Sequence, residues 1–332
     1  MRALVQRETG LALDRNYSMP TPFDGEALIR VLQAGICNTD LEIVRGYMNF
    51  QGVPGHEFVG IVEEIYGQAA QDLAGDLIGQ RVVGEINAAC HRPDCFYCQH
   101  NMPTHCPRRT TLGIVNRDGA FAEYAMLPVE NLHPVPENVS DEEAVFVEPL
   151  AANFEILEQA HLRPTDKVLI LGDGKMGQLA AQVLTLSGCE VAMVGKHKEK
   201  LTLVEKRGVR TYVLDDMQHF ALEDGRRVDL VVECTGSEQG LEMALRLVRP
   251  RGTLILKSTV AARSQLHLAP IVIDEIRVQG SRCGPFAPAI RALSHKLVDV
   301  QPLISARYPL DEALTAFEHA GQRGVLKVLV KV

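Results

Sequence analysis

Two hydrophobic rhythms run along this chain of 332 residues. From residue 1 to about 149, short apolar runs are separated by Gly- and Pro-bearing turns: ALIRVLQAG (27–35), FVGIVEEI (58–65), RVVGEI (81–86) and AFAEYAML (120–127). Short runs punctuated in this way predict an antiparallel, partly closed β domain. The opening stretch, MRALVQRETGLALDR, reads as a charged strand and hairpin. From about 150 to 285 the rhythm changes. KVLILG, EVAMVG, TYVLD, VDLVVECTG, TLILKS and IRVQGS are strand-like, and between most of them lie helical stretches such as QLAAQVLTLSG, KEKLTLVEKRG and LEMALRLVRPRG (241–252). Strands alternating with helices predict a parallel sheet covered on both faces. The last stretch, 286–332, predicts two helices and a terminal strand, GVLKVLV, that returns to the first domain. The expected fold class is α/β, with a doubly wound parallel sheet beside a mainly antiparallel β domain and the active site in the cleft between them.

The first apolar strand of the parallel half ends in LGDGKMG, which places Gly172, Gly174 and Gly177 as G-x-G-x-x-G. A strand before this motif and a helix after it are the context that makes it specific. The glycines permit a tight turn and close approach of a pyrophosphate, whose charge then sits at a helix N-terminus. At the end of the second strand an acid would accept the adenosine ribose hydroxyls and repel a 2′-phosphate. This chain has Gly195, Lys196, His197 and Lys198 there, a gap followed by positive charge, which favours NADP(H) over NAD(H).

Composition changes the picture little. Hydrophobic content of 46%, charge of 23% and a net charge of −8 suit a soluble globular protein. With no basic stripe and no apolar run near the ~20 residues of a membrane span, nucleic acid and membrane are not expected partners. The N-terminus lacks the apolar region of a signal peptide, so a cytoplasmic location is expected.

The cysteines matter more. Four of the eight form C-x4-C-x2-C-x7-C: Cys90, Cys95, Cys98 and Cys106. Four thiolates on a short loop (about 88–108) predict a closed, structural zinc site, with His91, His100 or His105 able to replace one. Cys189, Cys234 and Cys283 stand alone in or beside apolar runs and are expected as small core residues. Between Ala34 and Glu64 lie Cys37 and His56, ligand types that zinc prefers, with Asp40 and Glu57 close by. Glu148, before Pro149, suits the first turn of a helix.

Taken in order, ICNTD, GHEFVG, the four-cysteine lobe, EPLAAN, GDGKMG, ECTG and the terminal VLKV resemble the zinc-containing medium-chain alcohol and polyol dehydrogenases over nearly the full length, in the branch of sorbitol, glucose and threonine dehydrogenases. The resemblance implies a GroES-like catalytic domain (1–149), a Rossmann domain (150–285) and a C-terminal return (286–332). It implies two zinc ions per chain and a homo-oligomer, dimer or tetramer. Cys37 and His56 match the catalytic zinc ligands, Thr39 the hydroxyl that passes on the substrate proton, and Asp40 the acid that orients the histidine. Glu148 stands where the common alcohol dehydrogenases place a cysteine, so Glu57 and Glu148 are alternative third ligands. The cofactor would be met by Gly172, Gly174, Lys175, Met176, Gly177 and Thr235, with Lys327 near its pyrophosphate. The lobe departs from the usual C-x2-C start by two inserted residues.

The implied reaction is reversible oxidation of an alcohol to a carbonyl. Tyr47 to Phe50, Arg117 and the loop from Ser281 to Phe286 are the expected pocket, which fits a polyol or sugar as well as a simple alcohol or aldehyde. The competing class is a zinc-stabilised NADPH-binding protein, or a zinc-independent quinone-type reductase. The intact set of Cys37, Thr39, His56 and Glu148 weighs against it.

Overall fold

A computed structural model describes residues 1–215, 220–222, 225–258 and 267–332. The chain divides into two compact units. One comprises Met1–Glu148, Ala289–Lys296 and Leu303–Val332; the other comprises Pro149–Pro288 and Leu297–Pro302.

The first unit opens on the hairpin of Ala3–Arg7 and Gly10–Asp14. Its main sheet has seven strands in the path Ile304–Pro309, Lys327–Lys331, Glu26–Gly35, Glu57–Ile65, Arg81–Gly84 and Leu132–Pro134, with Tyr124–Pro128 also pairing to Glu26–Gly35. All neighbours are antiparallel except the first pair. Glu26–Gly35 is the organising strand, alternating buried and half-exposed positions before running fully buried at its C-terminal end. Alternation of this kind is what one face on a core requires. The chain terminus does rejoin this sheet: Leu329 lies opposite Gly35.

The second unit carries a six-stranded, all-parallel sheet: Arg210–Val213, Glu190–Gly195, Lys167–Leu171, Val228–Glu233, Val248–Leu256 and Arg277–Gly280. In chain order this is 3-2-1-4-5-6, the doubly wound arrangement whose order reverses beside the first strand. Separate apolar clusters cover its faces. Ile170, Leu184, Met193 and Leu201 belong to one, and Leu169, Leu171, Met243 and Leu254 to the other. A central strand buried on both faces must be apolar at successive positions, as KVLIL is.

One predicted helix is shorter than expected. The stretch 241–252 is helical only within Glu238–Leu247, and Val248 begins a strand directly. Pro250 cannot continue a helix, and Arg251 takes a left-handed φ of 58°. Of the isolated cysteines, Cys189 is buried, whereas Cys234 and Cys283 are half-buried; Cys234 packs against the core cluster of Ile170 and Met193. Among the described residues no helix is long and apolar enough to cross a membrane.

Candidate active site

Glu26–Gly35 delivers Cys37 to the N-cap of the helix Asn38–Val44. The helix begins there because Asp40, three residues on, accepts the Cys37 backbone N–H at 2.8 Å, half of a capping box. The other oxygen of Asp40 accepts the Gly55 N–H at 3.2 Å and lies 3.2 Å from His56 Nδ1. One fully buried carboxylate therefore pins together the two segments that bear Cys37 and His56. With Nδ1 turned to Asp40, Nε2 is the imidazole nitrogen left to face a ligand. Thr39 places its hydroxyl 3.8 Å from Cys37 Sγ.

Glu57 begins the next strand directly opposite Gly35. Its Oε2 accepts a short hydrogen bond from Lys327 Nζ, and both side chains are within 1% of complete burial. The ammonium also lies 5.6 Å from the Phe146 ring centre. Burial works to lower the Lys327 pKa, but Glu57, then Cys37 and Asp40, outweigh it and hold the value above normal. Lys327, expected near a pyrophosphate, has its amine bonded to Glu57 here, because a buried carboxylate needs a counter-charge.

Gly35 makes room for this pair. A Cβ there would lie 2.7 Å from Val145 Cγ1, 2.9 Å from Glu57 Oε2 and 3.3 Å from Lys327 Cδ. Gly35→Ala is therefore expected to cost about 1–3 kcal/mol through overpacking. It should also weaken metal retention, read by zinc content after dialysis against a mild chelator. Unchanged stability and zinc content would show that the pair does not depend on that space.

Ligand atoms of Cys37, His56 and Glu57 all lie within 4.8 Å of one another. Glu148, in the first turn of the helix Val147–Gln159 and partly exposed, is outside that group. A divalent cation fits the group on charge grounds. A metal-bound Cys37 thiolate, the Asp40 and Glu57 carboxylates and the Lys327 ammonium would together carry a formal −2, which one divalent ion cancels. Without metal the His56 pKa is raised well above its usual value. Burial opposes this, but Asp40 and Cys37 favour the imidazolium more strongly, so a proton partly does the cation's work.

The cysteine lobe makes a second group. Sγ atoms of Cys90, Cys95, Cys98 and Cys106 all fall within 4.8 Å. Separations are 3.9 Å for Cys90–Cys98, 3.8 Å for Cys95–Cys106 and 3.4 Å for Cys90–Cys106. Thiolates about 2.3 Å from one zinc in a tetrahedron would stand about 3.8 Å apart, so these residues fit the ion. The two-residue insertion does not separate them; Asp94 within it pairs at the surface with Arg108 at 3.0 Å and Arg92 at 3.2 Å. The three histidines are engaged elsewhere: His91 with Glu130, His100 with the Phe96 carbonyl and His105 with Thr104.

In the second unit Gly174 caps the helix Lys175–Thr185, so Lys175, Met176 and Gly177 form its first turn. A Cβ on Gly177 would strike the Gly172 carbonyl. Thr235 donates its backbone N–H at 2.6 Å and its hydroxyl at 2.5 Å to buried Glu233. Gly195 ends the second strand, and Lys196 and Lys198 are exposed beyond it. Asp173 is the residue that sequence reasoning passed over. Its carboxylate lies over Gly195 and accepts the His197 N–H at 2.7 Å. The signal was an acid inside the glycine turn itself, GDG.

Part of the expected pocket is committed to structure. Arg117 bonds Glu26 at 2.7 Å, the Met126 carbonyl and Thr110, and Phe50 and Phe286 are buried. Tyr47 is half-exposed, and Met48 and Asn49 are exposed at left-handed φ values of 60° and 53°.

Residues 23–137 match the alcohol dehydrogenase GroES-like domain, and residues 176–298 match the zinc-binding dehydrogenase domain. The chain is 29% identical to a sorbitol dehydrogenase of Halalkalibacterium halodurans, over 99% of each chain. A zinc-binding dehydrogenase of Sinorhizobium meliloti 1021, solved with NADP, superposes with a TM-score of 0.88 at 29% identity, over 100% of this chain and 99% of that one. An alcohol dehydrogenase of E. coli CFT073, solved with NADH, superposes with a TM-score of 0.90 at 25% identity over the same shares. With a GroES-like and a Rossmann-like unit, and half-buried Cys37 grouped with buried His56 and Glu57 in the first, the chain belongs to the zinc-containing medium-chain alcohol and polyol dehydrogenases and is an oxidoreductase.

Proposed function

We propose that this enzyme reversibly oxidises a secondary hydroxyl of a polyol or sugar alcohol to a carbonyl, with NADP(H) as its coenzyme. The observation that carries the reading is the Cys37, His56 and Glu57 group, set in a buried charge constellation that one divalent ion would neutralise. Cys37 Sγ, His56 Nε2 and one carboxylate would hold that ion. Glu57 would be the third ligand, because its oxygen is in the group and Lys327 steadies it; Glu148, outside the group, is the alternative carboxylate. A bound zinc supplies the Lewis acidity that lowers a hydroxyl's pKa, and a nicotinamide supplies the hydride acceptor. Asp40 keeps His56 in the tautomer and orientation that present Nε2. Thr39 accepts the proton that the substrate hydroxyl sheds and donates its own onward to solvent. Gly172, Gly174 and the first turn of the helix Lys175–Thr185 cradle the dinucleotide phosphates. The four lobe cysteines would hold a second ion, a structural one, because they leave no open position for substrate.

The polyol reading rests on relatives such as the sorbitol dehydrogenase, and on Tyr47 and Asn49 as polar groups on an accessible turn. The coenzyme reading rests on Gly195, Lys196 and Lys198. Assembly as a dimer or tetramer follows from kinship alone. The test is NADPH absorbance with a panel of polyols, simple alcohols and their carbonyls, before and after chelation and after zinc is restored. Turnover of polyols with NADP, falling at least about a hundredfold on chelation and returning with zinc, is expected. Turnover indifferent to chelation would overturn the zinc mechanism and point to a quinone-type reductase. Tight NADPH binding with no turnover of any substrate would overturn the dehydrogenase reading for this chain.

A further inference from the structure

We propose that Asp173 and His197 together set the coenzyme preference, with His197 masking an acid that would otherwise select NAD(H). The proposal deepens, and rests on, the NADP reading above.

In the usual arrangement the discriminating acid projects from the end of the second strand. Here that place is Gly195, yet the space is not empty. A Cβ on Gly195 would lie 2.5 Å from Asp173 Cβ and 2.6 Å from Asp173 Oδ2. The carboxylate thus stands over the end of the second strand, having come from the phosphate turn after the first strand. The acid missing from the second strand has been replaced from a neighbouring loop.

That carboxylate is not offered to a ribose. Its Oδ2 accepts the His197 backbone N–H at 2.7 Å, and His197 Nδ1 lies 3.0 and 3.2 Å from its two oxygens. The Asp173 side chain is only 10% exposed, whereas that of His197 is 40% exposed. His197 therefore covers the acid and keeps the rest of its ring at the surface, between exposed Lys196 and Lys198. An anion arriving at the end of this strand meets Lys196, the imidazole and Lys198 before it meets Asp173. A 2′-phosphate is thereby accepted. With His197 removed, the same carboxylate would repel the phosphate and accept the 2′-hydroxyl of NAD(H). His197 is thus the positioning and charge-masking residue, and Asp173 is the latent selector.

The experiment uses two probes of the adenosine half, adenosine 2′,5′-bisphosphate and adenosine 5′-phosphate. Their dissociation constants are measured by calorimetry on the full-length enzyme, so the result does not depend on turnover. The variants are His197→Ala, Asp173→Ala and the double variant. Wild type is expected to prefer the bisphosphate, and His197→Ala to lose about tenfold of that preference, as befits an unmasked carboxylate near a phosphate dianion. In the Asp173→Ala background the same His197 substitution should cost only about twofold, since no acid remains to unmask. Affinity for adenosine 5′-phosphate should hold or improve in His197→Ala, which also reports an intact site. Equal losses in both backgrounds, or no loss in His197→Ala, would overturn the role of the pair and leave the NADP reading standing. A wild-type preference for adenosine 5′-phosphate would overturn both.

Discussion

Lys327→Met is expected to destabilise the metal-free protein by about 3–5 kcal/mol, the usual cost of removing one partner from a buried ion pair. The reason is geometric. Glu57 is 1% exposed, and Lys327 is the cation that bonds it. Methionine fills much of the volume but leaves the carboxylate without the cation that bonds it. Zinc should recover part of the loss, because Glu57 then has a second cation to face. Guanidinium unfolding of the metal-free and zinc-loaded variants measures both effects. The double variant with Glu57→Gln should be less destabilised in the metal-free form than Lys327→Met alone, since no charge is stranded. A metal-free loss below about 1 kcal/mol would mean that Glu57 finds another partner, and the account of the pair would fail. The Lys327 contribution is present throughout the neutral range. Its folded pKa is raised above the unfolded value, so it is fully present below the unfolded value and is lost only as pH climbs through the folded one.

Cys37→Ser is expected to lower kcat/KM by about a thousandfold or more and to strip the catalytic metal while the lobe keeps its own. Zinc content per chain should fall from two ions to one, which separates the two sites in a single measurement. Asp40→Asn should show the milder loss of about 10–100-fold typical of a residue that orients a ligand. Zinc uptake by the metal-free wild type should release protons at neutral pH, because His56 is held as an imidazolium by Asp40 and Cys37 and must lose that proton to bind a cation. For the same reason the metal-free form gains stability from His56 below its unfolded pKa, and loses it as pH rises through the raised folded value. Titration calorimetry in buffers of different ionisation enthalpy reads the released protons. The lobe thiols release protons as well, so the charge on His56 is read separately from its imidazole nitrogen chemical shifts in the metal-free protein, where a neutral-ring pattern would show that the imidazole is not charged in the empty site.

Much of this was written along the chain itself. Short apolar runs between Gly- and Pro-bearing turns before residue 149, and strand–helix alternation after it, were enough for the two architectures, because those patterns follow from which faces must be dry. The glycine turn was legible for the same reason: a backbone that must approach a phosphate tolerates no side chain. Spacing also named the four lobe cysteines, since ligands on one short loop are local. Other features were not local. That Cys37 and His56 meet depends on Asp40 bonding both the Cys37 and Gly55 amides, and that Glu57 rather than Glu148 joins them depends on sheet register. Lys327 read as a phosphate-binding cation from its position, and only the pairing of the last strand with Glu26–Gly35 brought it to Glu57. The acid that sequence reasoning sought at the end of the second strand was present but came from a different loop. Sequence determined which elements form and which chemistries are available, because periodicity and backbone sterics act over a few residues. Only the tertiary structure decided which charges face one another, because pairing in a buried site is set by register and packing between segments distant along the chain.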